Sequence, residues 1–188
     1  MDAYLGPADP LPARPSRVLL NGASGAGKTW LAAAVASRLG LPYVEIDSLH
    51  WGPGWTPRPT FVDDVSALVG GERWIVEWQY DVVRERLADR ADLLVWLDLP
   101  RWRVLGQVSR RTLRRRLRRT PLWNGNLEPP LWTILTDPEH IVRWSWSSQP
   151  EVAPRVTALL ARRPDLPVVR LRSRREVRRW LDGPLGAT

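Results

Sequence analysis

The segment Gly22-Ala23-Ser24-Gly25-Ala26-Gly27-Lys28-Thr29 matches the pattern G-x-x-x-x-G-K-[ST] in full. Each residue type there has a chemical reason. Glycines let the backbone curl until successive N–H groups point inward at anionic oxygens. A helix that starts near Lys28 adds its positive dipole end beneath the phosphates. Lys28 reaches the outer phosphates of a nucleoside triphosphate, ATP in the first instance, and the Thr29 hydroxyl ligates Mg²⁺. The chain has 28 basic residues, yet Lys28 is its single lysine. Arginine serves everywhere except where a compact, flexible ammonium has a specific task.

Three carboxylates follow apolar runs: Asp47, Glu77 and Asp98. Placed at strand exits, they lie along the carboxyl edge of a parallel sheet, where open α/β sheets hold ligands. The bland alternative is that each caps a helix or pairs with an arginine. For Asp98, just before Pro100, capping is the expectation. Arg110, Arg111, Arg114, Arg115, Arg116, Arg118 and Arg119 form the densest charge run, and positions 111, 114, 115 and 118 share one helical face. Most of such a face is solvated, while one or two of these guanidinium groups suit phosphate oxygens. Trp51 and Trp55 sit in a proline-glycine loop after Asp47, where they either stack on an acceptor or fold the loop onto the domain. His50 reads equally as structural or as a site residue.

The elements that must position these residues alternate. Val18–Leu20 reads as a buried strand, and Lys28–Leu39 as a helix closed by Gly40. Pro42–Ile46 reads as a second strand ending at Asp47, and 48–60 as loop, given its glycines and prolines. A helix over Phe61–Val69, a strand at Trp74–Val76 with Glu77 at its exit, and a helix over Asp81–Ala88 follow. Leu93–Leu97 is a fourth strand, and Pro100 starts a long basic helix to about Arg118. Residues 120–150, rich in proline and tryptophan, are the least regular. A helix over Ala153–Arg163, a fifth strand at Val168–Leu171 and a helix over Arg174–Leu181 complete the series. Apolar strands alternating with helices predict an α/β, three-layer P-loop NTPase fold: a five-stranded parallel sheet with an arginine-rich helical lid. Residues 1–16 read as a flexible lead-in, and 17–182 as one domain with an acceptor loop at about 47–60 and a lid at about 101–150.

Composition narrows the function classes. The 188 residues suffice for one domain with a sizeable core. With no cysteine and 2 distant histidines, His50 and His140, neither a disulfide framework nor a zinc site is expected. Met1–Ser16 lacks the basic start and apolar run of a signal peptide, and no stretch reaches the roughly 18 apolar residues of a membrane span. The expectation is a cytoplasmic protein with no membrane partner, monomeric or homodimeric. A net charge of +8 suggests an anionic partner without choosing among nucleotide, nucleic acid and acidic membrane. Most of the 12 tryptophans are expected to pack in the core.

Over roughly Arg17–Leu181 the chain resembles the adenylate-kinase-like branch of P-loop proteins, and within it the family called DNA topology modulation proteins. The resemblance rests on the phosphate loop, on the stretch from Leu41 through Asp47-Ser48-Leu49-His50 to Trp51, and on Pro53-Gly54-Trp55. It continues through Trp96-Leu97-Asp98-Leu99-Pro100-Arg101, the arginine-rich helix and Val169-Arg170-Leu171-Arg172-Ser173. It implies that Asp47 faces the acceptor hydroxyl, that Glu77 holds metal-bound water, and that Arg110, Arg111 and Arg114 cover the triphosphate. It also implies that Arg172 and Ser173 lie against adenine. Such proteins end the third strand with Asp-Gly-Asn-Tyr. Here the residues are Glu77-Trp78-Gln79-Tyr80, with a longer acid and a bulky indole in place of glycine.

Three functions fit. A kinase moving the γ-phosphate of Mg-ATP to a nucleotide or small hydroxylated acceptor explains loop, acids and basic helix together. A nucleic-acid-associated ATP-binding protein explains the charge, with Arg115 and Arg119 on a phosphate backbone. A regulatory nucleotide-binding module without transfer draws only on the Glu77-Trp78 departure.

Overall fold

The computed structural model describes residues 4–138 and 140–187. Five parallel strands form one sheet: β1 (Arg17–Asn21), β2 (Tyr43–Val44), β3 (Trp74–Glu77), β4 (Leu93–Leu97) and β5 (Val168–Leu171), in the order β2-β3-β1-β4-β5. β1 is central, with Leu20 beside Glu77 of β3 and Asn21 beside Trp96 of β4. The chain leaves the end of β1 directly into the phosphate loop. That loop therefore sits at the middle of the sheet's carboxyl edge.

Strand alternation explains the two cores. Val18, Leu20, Ile75, Val95, Leu97 and Leu171 face helices α1 (Lys28–Leu39) and α9 (Arg174–Asp182). Leu19, Trp74, Val76, Leu94, Trp96 and Val168 face the other way, onto α3 (Phe61–Gly70), α4 (Asp81–Arg90) and α8 (Val152–Arg162). A sheet covered on both faces needs apolar residues at every strand position, which is why these segments read as continuous apolar runs. Trp74, Trp96 and Trp180 are fully buried, each contributing about 2–3 kcal/mol by removal of apolar surface from water. The expectation for tryptophan is only partly met: Trp30, Trp102, Trp132, Trp144 and Trp146 are exposed.

Four segments differ from the sequence-based expectations. The second strand is only Tyr43–Val44, and residues Ile46–His50 form a short helix, α2. Ile46 is drawn fully into the core beneath α3, and the Trp51 amide closes the turn onto the Asp47 carbonyl at 2.9 Å. Asp47 thus stands in the first turn of a helix rather than at a strand exit. The segment read as loop also holds a 3-10 turn at Pro53–Trp55.

Asp98 does not cap the following helix, α5 (Arg101–Leu117), whose N-cap is Pro100. Its carboxylate instead accepts from Nε of Arg170 at 2.8 Å and from Nη2 at 2.5 Å. Residues 1–3 of the N-terminal lead-in lie outside the described residues, and the remainder is docked at Leu5. The Leu5 amide donates to the Val168 carbonyl and its own carbonyl accepts from the Arg170 amide, extending the β5 edge. Tyr4 meets Trp96 edge-on at 5.6 Å. Residues beyond α5 fold into α6 (Thr133–Thr136) and α7 (Ile141–Ser148), and α7 packs along α5.

Candidate active site

The phosphate loop has the curl its glycines predict. Gly25 and Gly27 adopt φ of 89° and 100°, in the region where side chains are strained. A Cβ at Gly25 would also meet Val108 of α5 at 2.7 Å, so the close approach of α5 demands glycine there. Gly27 is the N-cap of α1, which has neither a side-chain cap nor an acidic residue in its first turn. Its amide groups and dipole end are left for an anion. Lys28 is buried, and its Nζ donates to the carbonyls of Gly22 at 3.0 Å and Ala23 at 3.4 Å. The ammonium is held inside the loop's curl. Burial pulls its pKa below the ordinary value, while Glu77 and then Asp47 pull the other way.

Glu77, the last residue of β3, is 4% exposed. Burial raises its pKa from 4.5 to about 7; Lys28 opposes this, and Asp47 and Glu45 reinforce it. The charges of Lys28, Asp47, Glu45 and Arg111 therefore all act on Glu77 at the carboxyl edge of the sheet. Asp47 is held by Tyr80, whose hydroxyl donates to Oδ1 at 2.6 Å. Tyr80 stands at φ 59°, a strained position for an aromatic residue, and stacks on His50 at 4.1 Å between centroids. Burial raises the Tyr80 phenol, and Asp47 adds to the effect, so it stays a donor. One carboxylate oxygen of Asp47 is committed to Tyr80, and Oδ2 is left for another partner.

Trp78, the indole standing where glycine is usual, does not enter the cleft. It is buried against α4, with its N–H donating to the Arg84 carbonyl at 2.9 Å. The departure is absorbed by the core on the side away from the phosphate loop.

The arginines of α5 separate sharply. Arg111 reaches the loop, with Nη2 donating to the Ser24 hydroxyl at 3.4 Å and Nε buried without a partner. Its proton affinity is lowered first by burial and then by Arg115. Arg110 and Arg114 are exposed on the outer side of the helix. Arg115 donates to the buried Glu128 carboxylate at 3.3 Å, and Arg116 to the Glu128 carbonyl at 3.2 Å. Both are thereby engaged within the fold, and Arg118 and Arg119 are exposed.

The second anchor on the loop comes from α7, where the buried Ser145 hydroxyl donates to the Ser24 carbonyl at 2.7 Å. Ser145 lies 121 residues from Ser24, and nothing in its local sequence signals the contact. Tyr80 could have been singled out, since it closes the Glu77-Trp78-Gln79-Tyr80 stretch. Its bond to Asp47 depends on α2, which the loop residues disguised.

Ser173 is committed elsewhere. Its hydroxyl accepts from the Glu176 amide at 3.2 Å while the Glu176 carboxylate accepts from the Arg172 amide at 2.7 Å, a capping box for α9. The S-x-x-E spacing was the legible signal. Arg172 and Ser173 line a groove of about 1280 Å³ with Tyr4, Leu5, Arg175 and Arg179. Arg174 bridges from there to Gln107 of α5 at 3.1 Å.

For a divalent cation the donor set is oxygen only: the exposed Thr29 hydroxyl, the Glu77 carboxylate and Asp47. Among the described residues no three His, Cys, Asp or Glu side chains gather into a self-sufficient metal site. An oxygen-only donor set suits Mg²⁺, which keeps several waters and takes its remaining ligands from substrate phosphates. No helix of the described residues is long and apolar enough to cross a membrane.

No protein-family model matches the chain, and no curated protein matches it. Solved structures do. A gluconokinase from Sinorhizobium meliloti 1021 aligns at 18% identity and TM-score 0.52, covering 91% of this chain and 92% of that one. A sugar kinase from Janibacter sp. HTCC2649 aligns at 22% identity and TM-score 0.48, covering 93% and 99%. Shikimate kinase from Acinetobacter baumannii aligns at 18% identity and TM-score 0.42, covering 76% and 93%. The first of these establishes a shared fold along nearly the whole chain.

Proposed function

We propose that this chain is an ATP-dependent phosphotransferase that moves the γ-phosphoryl group of Mg-ATP to the hydroxyl of a small acceptor. One observation carries the reading. The phosphate-loop lysine and the buried Glu77 lie close enough for each to shift the other's proton affinity, the Tyr80-held Asp47 acts on both, and Arg111 reaches the same loop from α5. Phosphoryl transfer is mainly positioning and neutralisation of charge, and these residues supply both.

In this reading the amides of residues 22–29 and Lys28 hold the triphosphate, and Lys28 exchanges its bonds to the Gly22 and Ala23 carbonyls for phosphate oxygens. Asp47 uses Oδ2 to orient the acceptor hydroxyl and take its proton, while Tyr80 keeps Oδ1 occupied. Arg111 neutralises charge on the transferring group. Thr29 and, through water, Glu77 would hold Mg²⁺, which would supply neutralisation of the charge that develops on the phosphate oxygens. Arg110 and Arg114 drop to outer-surface roles, and Arg172 with the α9 cap borders the base.

The fold shared with a protein named a gluconokinase agrees with a small hydroxylated acceptor, although the reading rests on the site. The adenylate-kinase-like subclass, the DNA topology modulation family and a cytoplasmic location belong to the same proposal. A nucleic acid partner finds little support, because Arg115 and Arg116 of the basic run are engaged by Glu128.

The test is ATP consumption with Mg²⁺ against nucleosides, nucleoside monophosphates, sugars, hydroxy acids and DNA ends. One acceptor raising turnover well above the water background is expected; ATP bound with no response to any acceptor would overturn transfer. Lys28→Ala should weaken ATP binding at least 100-fold in a folded protein, measured by titration calorimetry beside circular dichroism. Unchanged affinity in a folded variant would remove the phosphate-loop assignment itself.

A further inference from the structure

Two segments some seventy residues apart are joined beside the cleft. One is the loop 51–57 that follows α2, and the other is the 3-10 turn Trp123–Gly125 with the residues after it. Asn126 is buried and well partnered: Oδ1 accepts from the Trp55 amide at 3.0 Å, and Nδ2 donates to the carbonyls of Gly52 at 2.8 Å and Trp123 at 2.9 Å. The Trp55 indole donates to the Leu127 carbonyl at 3.1 Å. The Asn124 amide donates to the Trp51 carbonyl, and the Trp123 indole to the Glu45 carboxylate.

The rings continue the path. Trp123 meets Trp55 at 6.2 Å, Trp55 meets Trp51 at 5.7 Å, and Trp51 meets His50 at 4.5 Å between centroids. His50 stacks on Tyr80, and Tyr80 holds Asp47. Trp55 and Asn124 both stand at positive φ, 57° and 56°, in the region strained for bulky side chains. For Trp55 local preference does not favour this conformation, so the contacts between the segments must hold it, whereas asparagine adopts it readily at a turn. A surface loop that only needed covering would not require a buried amide that donates to one backbone group of the facing segment and accepts from another.

We propose that Asn126 is a positioning residue through which the lid segment completes the acceptor site. Seating residues 122–127 on 51–57 fixes Trp51, and through His50 and Tyr80 it sets the Asp47 carboxylate. Closure over the nucleotide and formation of the acceptor pocket are then one event. The role in transfer rests on the kinase reading; the coupling between the two segments does not.

The experiment is amide hydrogen exchange of the full chain, wild type against Asn126→Ala, without ligand and with Mg²⁺ and the β,γ-imido analogue of ATP. NMR titration of the 2 histidines accompanies it. Without ligand, the Trp55 amide and residues 122–127 should exchange at least tenfold faster in the variant, together. The His50 midpoint, held below 6.5 mainly by burial, should rise towards 6.5, a change that a loop staple remote from the site would not produce. Trp55→Phe, which loses the bond to Leu127 and trims the ring contacts with Trp51 and Trp123 but keeps the Asn126 bonds, should shift the same observables by a smaller amount and serves if Asn126→Ala does not fold. Faster exchange confined to 122–127 with His50 unmoved would overturn the proposal. The analogue tests the other premise: it should protect the phosphate loop in both proteins, and no protection in either would overturn the kinase reading while leaving the ligand-free comparison to decide the coupling.

Discussion

Between pH 4.5 and about 7, Glu77 is ionised in the unfolded chain and protonated in the folded one. The folded state then binds more protons, so stability falls as pH rises through that window and levels off above it. Glu77→Gln should flatten the dependence and make the protein more stable at pH 8, by at most about 3 kcal/mol. Urea unfolding at pH 5 and pH 8 measures it, and an unchanged slope in the variant would place the effect in another group. The same residue should give kcat/KM an apparent pKa near 7, rising on the alkaline side. Tyr80 makes a complementary prediction. Removing its hydroxyl in Tyr80→Phe deletes a bond to a charged group, of about 1.5–3 kcal/mol, and leaves Asp47 free to turn. Turnover should fall about tenfold with ATP affinity unchanged; steady-state kinetics beside ATP titration checks both halves.

At the scale of the element, α5 turns one face of its arginine run to the site and the other to water. Arg111 sits behind Ser24 with its Nε buried, and the guanidinium meets the loop that holds phosphate. Arg111→Ala should therefore reduce turnover about 100-fold. Arg110→Ala and Arg114→Ala, on the exposed face, should change it less than about threefold, since solvent screens charges there. Equal losses at all three positions would mean that the helix rotates or closes further when nucleotide binds. The α5–α7 pair is otherwise well anchored: Arg101 lies over the Trp146 ring at 3.6 Å, and Gln149 donates to the Leu99 carbonyl at 2.8 Å.

For the whole molecule, the sheet is finished by a segment outside the alternating pattern. Leu5 pairs along β5, and Leu5 and Leu11 pack against the core shared by α1 and α9. A chain lacking residues 1–11 loses two backbone bonds and that apolar cover, and should be destabilised by about 2–4 kcal/mol while keeping its fold. Thermal unfolding of the shortened chain measures the loss, and an unchanged midpoint would show that the docked segment adds nothing. Arg170 links this edge to the site end of the sheet, paired with Asp98 and lying 4.5 Å from the centroid of Trp96.

Local rules were sufficient for the sequence alone to determine the five strands, the phosphate loop and helices α1, α3, α4, α5, α8 and α9. Continuous apolar runs, glycine stops and the Lys28 motif are written within a dozen residues and depend little on what packs outside them. The same holds for Lys28, which belongs to the loop motif itself, whereas Glu77 comes beside the loop because the fold sets β3 next to β1. Only the tertiary structure decided that Ile46–His50 is helical, since burial of Ile46 under α3 overrode the loop character of its surroundings. It also decided that Arg111 alone of the three assigned lid arginines reaches the loop, because a helix's angle about its own axis is set by what it packs on. Asp98 was read as a cap and became an ion pair because Arg170, 72 residues away, arrives on the neighbouring strand. Ser145 and Asn126 act through bonds to segments 121 and 71 residues distant. Contacts of that span carry no periodic trace in the chain, because they exist only once both ends have been placed by the fold.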